Sequence, residues 1–272
     1  MSKNWNRKIQ VVLDTRTLSS DDFDISFNYS FTSDNEPNEV EVEIKNLSQS
    51  TINTYINKDK QLIINAGYEG DIGNIMKGFI IDVASGWANT DKNTQIMGFD
   101  SSDAYLNKFI SKAYVPGTTA LQIINDLCGM AGLAIGEVSL FNNAQYVRGR
   151  SVTGKLQDIL TEIVKVDCKT NIQIKAGTII IRNVEQGVET GFILSGETGL
   201  IGSPEPMGDV SDIPADLRPS YIVRCLLNHK IGPSSRIRID SKVLKADAVV
   251  INGKHMGSMT GAFETYMEVK LI

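Results

Sequence analysis

The sequence predicts a β-rich α+β protein: two β-sheet modules, at 1–105 and 191–272, flanking a small α+β domain at 106–190. Three observations predict it. Period-two alternation of apolar and polar residues dominates both ends of the chain. Helical spacing at i, i+3 and i+4 is concentrated in the middle. Clusters of Gly, Asn and Asp punctuate the apolar runs where turns belong. The 272 residues suffice for two or three compact units.

Residues 9–13 open the first module as a strand. Phe23, Ile25, Phe27, Tyr29 and Phe31 then recur at every second position, which puts five large side chains on one face. Such a row reads as a buried sheet face and not a ligand platform, because aromatics supply much of the core area of small β-units. Val40, Val42 and Ile44 alternate with Glu39, Glu41, Glu43 and Lys45 in a strand with one wet face. Asn46-Leu47-Ser48 follows, then a polar, partly helical run around Thr51-Ile52-Asn53. Strands at 62–68, 76–83 and 94–99 complete the module. Residues 69–74 form a turn rich in types that tolerate positive φ.

In the middle domain, Pro116-Gly117-Thr118-Thr119 leads into a helix whose stripe is Leu121, Ile124, Leu127, Cys128 and Ala131, with Gly132 as C-cap. A strand at 133–138 follows. Thr153 caps a second helix with the stripe Leu156, Ile159, Leu160, Ile163 and Val164. A hairpin, 170–175 and 178–182 around Ala176-Gly177, comes next. Residues 205–219 are Pro- and Asp-rich and read as an exposed excursion. Strands at 221–228, 236–241, 246–252 and 264–272 make up the second module. Both modules share an outline: a strand ending near a Leu/Asn pair, Asn46-Leu47 or Leu227-Asn228, then three more strands.

The residues offer no catalytic constellation. His229 and His255 are the two histidines, both read as strand-end or turn residues, and neither has the partner spacing of a zinc site. No GxSxG elbow or P-loop occurs. Gly67-Tyr68-Glu69-Gly70 precedes a strand, so it lacks the helix amides that cradle phosphate. Asp21, Asp22 and Asp24 lack the glycine and glutamate of an EF-hand and read as a solvated loop. Cys128, Cys168 and Cys225 are odd in number, without CxxC spacing, and read as buried free thiols. No cofactor, metal or catalytic residue is therefore expected.

Net charge of −5 argues against specific nucleic-acid binding, which needs a basic stripe to neutralise phosphates. It suits solubility, and also a conduit to which polyanions do not adsorb. No apolar run approaches the ~20 residues of a membrane span, so stable insertion is not expected. The start of the chain lacks a secretory h-region, which points to folding in the cytosol.

The order of elements resembles the central hub proteins of contractile phage tail baseplates, the late-control protein D-like family. The first module carries "VEVEIKNLS", "LIINAGYEG" and "IMKGFIIDV". The later half adds the segment 195–205, "LLNHKIGPSSRIRIDS", and a terminal "VVINGKHMGSMTGAFETYMEVKLI". These pieces cover most of the chain in order.

The resemblance implies tube-like β-barrel or sheet modules flanking the α+β domain, in a non-enzymatic virion or bacteriocin (tailocin) protein. It implies a homotrimer that adapts a six-fold tail tube to a three-fold spike, in a baseplate assembled in the bacterial cytoplasm. Its partners would be the tail tube protein, a separate spike protein and the wedge proteins. Interface positions are expected at Asn46, Leu47, Gly67, Tyr68 and Gly78. The alternatives are the hub-like base of a type VI secretion spike, a siphophage tail-tip protein, or a tail-associated cell-wall hydrolase or carbohydrate-binding module.

Overall fold

The computed structural model describes residues 5–32, 37–100, 107–175, 178–182, 188–207 and 220–272. Its contacts divide the chain into two compact units, one of 1–32, 38–99 and 185–272 and one of 33–37 and 100–184. The segments at both ends of the sequence thus share a unit.

That β-unit begins with β1 (Arg7–Leu13), β2 (Arg16–Ser19), β3 (Ile25–Thr32) and β4 (Glu39–Lys45). Helix α1 (Gln49–Tyr55) follows, its end capped by Ser48, whose Oγ accepts the Thr51 N–H. Then come β5 (Gln61–Tyr68), β6 (Asp71–Ala88) and β7 (Asp91–Phe99). The turn between β5 and β6 is only Glu69-Gly70, so Ile72, Gly73 and Asn74, read above as turn, belong to a strand of 18 residues.

The second unit contributes β8 (Phe109–Tyr114), β9 (Thr118–Thr119), α2 (Ala120–Ala131), β10 (Ala134–Val138), β11 (Gln145–Tyr146), β12 (Arg150–Lys155) and α3 (Leu156–Thr161). A π-helical stretch, Glu162–Asp167, continues α3 into β13 (Asn171–Lys175) and β14 (Thr178–Arg182). The turn read at Ala176-Gly177 lies outside the described residues. The chain returns to the β-unit with β15 (Val188–Leu194), β16 (Glu205–Pro206), β17 (Tyr221–Leu226), β18 (Ser235–Asp240), β19 (Lys245–Ser258) and β20 (Phe263–Leu271). Most of the excursion read at 205–219 lies outside the described residues.

In the β-unit a single sheet runs β16-β17-β20-β19-β3-β4-β7-β6-β5-β1-β2, with β18 beside β19 and β15 beside β18. The alternation that predicted the strands is the alternation of burial. Val40, Val42 and Ile44 are buried while Glu39 and Glu41 are exposed; Thr265, Met267 and Val269 of β20 are likewise buried. Phe27, Tyr29 and Phe31 of β3 lie in the core. Phe23, read into that row, precedes the strand and is half-buried against the core.

The α+β unit packs α2, α3 and the π-helical stretch in one core with β13 and β14. Thr119 and Gln122 form a reciprocal capping box at the start of α2, and Gly132 ends it at φ 69°. The buried stripe is Ala120, Ile123, Ile124, Leu127 and Cys128, so Ala120 and Ile123 stand in for Leu121 and Ala131 of the sequence reading, both of which are half-buried. All five apolar residues assigned to the second helix are buried. Thr153 is not its cap: it lies in β12, with Oγ1 3.2 Å from Ser111 Oγ across the ladder to β8. The N-cap is Lys155, and the Leu156 N–H is satisfied by the Lys108 carbonyl at 2.8 Å. Tertiary pairing has taken the place of a side-chain cap.

Candidate functional site

The β-unit contains the same four-strand sheet twice. Strands β4, β5, β6 and β7 lie in the order β4-β7-β6-β5; strands β17, β18, β19 and β20 lie in the order β17-β20-β19-β18. In each quartet the strand before the first flanks it, β3 beside β4 and β16 beside β17. In each, one more strand lies outside the second, although β1 runs antiparallel to β5 and β15 parallel to β18.

The correspondence holds residue by residue. In both quartets the third strand pairs with the second, passes to the fourth, and carries an extra residue just after the passage; β6 carries a further one, Ile75, in its ladder with β5. Ile80 faces Gly98 and Asp82 faces Met97, leaving Ile81 extra. Val250 faces Val269 and Asn252 faces Glu268, leaving Ile251 extra. Such bulges kink a strand and fix where it changes partner. Counting from them aligns Ser85 with His255, Trp87 with Gly257, and Thr94 with Thr265. Both threonines are fully buried, and each bonds its cross-strand neighbour: Oγ1 of Thr94 to Ser85 Oγ at 3.3 Å, Oγ1 of Thr265 to His255 Nδ1 at 2.8 Å. Val42 and Val223 are buried at equivalent places on the first strands, as are Ile44 and Cys225.

The two third strands differ in what lies along their outer edge. Beyond its bulge β19 is flanked by β3, with Asn252 to Ser258 opposite Thr32 to Ser26. His255 is buried there, stacked on Tyr29 at 6.2 Å and tilted against Phe31 at 4.8 Å, with Nε2 3.1 Å from the Ile231 carbonyl. It is a mid-strand core residue and not the turn residue read from sequence. A Cβ on Gly257 would lie 2.2 Å from the Phe27 ring, and one on Gly253 2.7 Å from Phe31. Beyond its own bulge, β6 pairs with β7 alone among the described residues. Ser85 is exposed, and Trp87 is 74% exposed.

The hairpin tips differ in the same sense. Arg7 closes the β19–β20 tip: Nη1 donates to the carbonyls of Ser258 at 3.0 Å and Gly261 at 2.8 Å, and the guanidinium lies over the Phe263 ring. Among the described residues the β6–β7 tip is braced from one side only. Asn46 Nδ2 donates to Asp91, Asn46 Oδ1 accepts the Lys92 N–H, and Lys92 Nζ reaches Gln49.

Of the positions singled out by sequence, Asn46 is thus exposed at φ 59° beside this tip. Gly78 sits opposite Leu62, one residue before β6 changes partner. Leu47 and Tyr68 are buried, Tyr68 edge-on to Phe263 at 5.2 Å. A Cβ on Gly67 would meet the Asp71 carbonyl at 2.2 Å, so glycine is needed for the β5–β6 hairpin to close. Sequence reading missed Trp87 and both bulges. The available signal was a tryptophan between Gly86 and Ala88-Asn89, exposed by its place in a turn region.

Chemistry is sparse. Burial pushes the Cys128 thiol up to about 11 and the Cys225 thiol up to about 12, so neither is a nucleophile at neutral pH. Asp21 and Asp24 pair with Lys8 and Lys45. Lys230 hydrogen-bonds Asp71 and holds its carboxyl below the usual range. Among the described residues no group of three or more His, Cys, Asp or Glu is placed to hold a metal ion. Among them, too, no helix is long and apolar enough to cross a membrane.

Among solved structures the chain is similar to the 43 kDa tail protein of prophage MuSo2 from Shewanella oneidensis, at 8% identity and TM-score 0.71, covering 98% of each chain. It is also similar to the tail protein from Neisseria meningitidis MC58, at 10% identity and TM-score 0.68, over 98% of this chain and 97% of that one. A third is the E. coli c3393 protein, described as a type VI secretion component with structural similarity to T4 bacteriophage tail proteins gp27 and gp5. Identity there is 10% and TM-score 0.62, over 98% of this chain and 77% of that one. No family model matches the sequence. No curated protein matches it either. At such identities the likeness is one of fold: this chain has the β-rich α+β fold of these tail proteins.

Proposed function

We propose that the protein is the central hub of a contractile tail baseplate, a homotrimer that docks on a six-fold tail tube and carries a three-fold spike. The observation that carries this reading is the doubled quartet. Three copies of a chain with two equivalent sheets present six around one axis, so one face meets six-fold symmetry and the other three-fold. The fold shared with phage tail proteins supports the setting, and a structural role is what a site built of strand edges can perform. The baseplate of a phage or of a tailocin, assembled in the cytoplasm of the producing bacterium, is the location proposed.

Asn46 and Gly78 enter the proposal on either side of the open stretch of β6: Asn46 braces the hairpin tip from the β4 side, and Gly78 pairs with Leu62 just before the strand's change of partner. Leu47, Gly67 and Tyr68 shape the same sheet from within. The likeness to the type VI component favours a second reading, the hub-like base of a secretion spike. Sedimentation and negative-stain imaging of the purified protein, alone and mixed with tube and spike proteins of its particle, test both. A three-fold ring with six peripheral lobes is the expected result. A chain that stays monomeric in every mixture, or that lyses cell walls in a zymogram, would end the hub reading.

A further inference from the structure

We infer that the groove at the end of β18 receives the tip of the β6–β7 hairpin of a second copy of this chain, with Trp87 seated there as Phe263 is seated within one chain. This rests on the hub reading and names the contact that would close its ring.

The two hairpin tips are equivalent, but among the described residues only one has a socket. Near the β19–β20 tip, Gly257 faces Phe263. Counting from the bulges, the same rung of the β6–β7 hairpin is Trp87 opposite Lys92. Each rung carries one aromatic ring, on opposite arms of the hairpin. Phe263 is buried: Arg7 lies over its ring, and Tyr68, at the end of β5, meets it edge-on at 5.2 Å. Trp87 stands in water. An exposed tryptophan at a place where the repeat buries a phenylalanine calls for a cover from another chain.

The repeat also gives the place of the second socket. The first lies between the end of β5 and the start of β3, whose Ser26 stands opposite Ser258. The counterpart of β5 is β18. Ser203 is the counterpart of Ser26, because Asn28 stands opposite Glu41 and Glu205 opposite Ile222, at equivalent places on the first strands. Ser203 and Asp240, the last residue of β18, both line an open groove of about 620 Å³, with Glu197, Leu200, Lys242 and Lys245. The room there has a cause. From the shared rung, Ile64 opposite Met76 and Ile239 opposite Ala246, the β5–β6 hairpin runs on to Tyr68 opposite Asp71. The β18–β19 hairpin stops one rung later, at Asp240 opposite Lys245. The wall that Tyr68 forms against a phenyl ring has no equivalent, which leaves space for the larger indole. Leu200 offers an apolar surface, and Lys242 and Lys245 supply the cations that Arg7 supplies to Phe263. The contact needs no ladder along the segment before β17, where Pro204 and Pro206 have no N–H to give. The tip of one module in the socket of the next is a heterologous contact, which rotation closes into a ring.

Two measurements on the full-length protein test this. Thr90 is exposed at the tip, and Lys242 is exposed in the groove. T90C and K242C proteins, assembled together and treated with a short bismaleimide, should give linked dimers on a denaturing gel. Either variant alone should give none, since Cys128, Cys168 and Cys225 are buried. Trp87→Ala sits at an exposed tip and should leave the circular dichroism unchanged, while weakening self-association about 30-fold. Wild-type trimers by sedimentation with no linked species from the T90C and K242C mixture, or with W87A associating as tightly as wild type, would overturn this contact and leave the hub reading standing. A wild-type chain monomeric with and without its tube and spike partners would overturn both.

Discussion

At the scale of single residues, the doubled sheet makes paired experiments possible, because equivalent positions meet different surroundings. Thr265 Oγ1 accepts the Asn228 N–H at 3.1 Å and bonds His255 Nδ1, all within the core. Thr265→Val keeps the shape and strips that bond from a buried ring, so it should cost about 1–3 kcal/mol in urea unfolding. Its counterpart Thr94 bonds Ser85, which is exposed and can turn to water. Thr94→Val should cost less than half as much, and equal losses would mean the two sites are not distinguished by burial. Two glycines near the hairpin tips give a second contrast, although Gly257 is the counterpart of Trp87 and not of Gly86. A methyl on Gly257 meets the Phe27 ring, whereas one on Gly86 meets nothing within 4 Å. Gly257→Ala should destabilise by about 1–3 kcal/mol through overpacking, and Gly86→Ala should be neutral or slightly stabilising, as read by the same unfolding midpoint.

At the scale of elements, most strands were legible because alternation is a local property that burial turns into structure. The β20 alternation of Thr265, Met267 and Val269 with Glu264, Tyr266 and Glu268 survived intact. What failed was non-local. Thr153 carries the chemistry of a cap, but pairing with β8 claimed it before the helix began. The length of β19 was missed because residues 252–258 hold glycines and a histidine, poor strand signals that make sense only under the aromatics of β3. The repeat was visible only as an outline, since a bulged residue after the change of partner in each third strand, and a further one at Ile75 in β6, shift the alternation. Those bulges are testable. Deleting Ile251 would turn the rest of β19 over, sending His255 to solvent and breaking the pairing with β3; no folded β-unit is expected by proteolysis. Deleting Ile81 disturbs a hairpin with one partner and should leave the rest of the unit resistant. In the α+β unit, hydrogen bonds from Lys112 at 2.6 Å and Tyr114 at 2.7 Å hold the Asp126 carboxyl below its ordinary 3.8. The folded state then binds that proton less readily than the unfolded one. The resulting stability is present above about pH 4 and is lost as pH falls through the folded-state value. Asp126→Asn should therefore lower the melting temperature at pH 7, and the gap should close in acid; a gap unchanged at low pH would refute the assignment.

At the scale of the whole molecule, the edge that β6 leaves open beyond Ile81 turns assembly, under the hub reading, into a stability term. A monomer melts at a temperature independent of its concentration, whereas a chain whose last strand edge is covered by a neighbour is stabilised by mass action. Three chains joining lose two independent particles. Each tenfold rise in concentration then adds two-thirds of RT ln 10, about 0.9 kcal/mol per chain. For a protein of this size that is a rise of about 2–3 °C in the melting point of the β-unit. The α+β unit, whose core is separate, offers an internal control if its transition resolves. Trp87→Ala should flatten the dependence without lowering the midpoint at high dilution, because in the lone chain the indole is mostly in water. A wild-type midpoint that moves by less than about 1 °C across two decades of concentration, with tube and spike proteins absent, would show that the edge is closed by one of those partners first and not by a copy of itself.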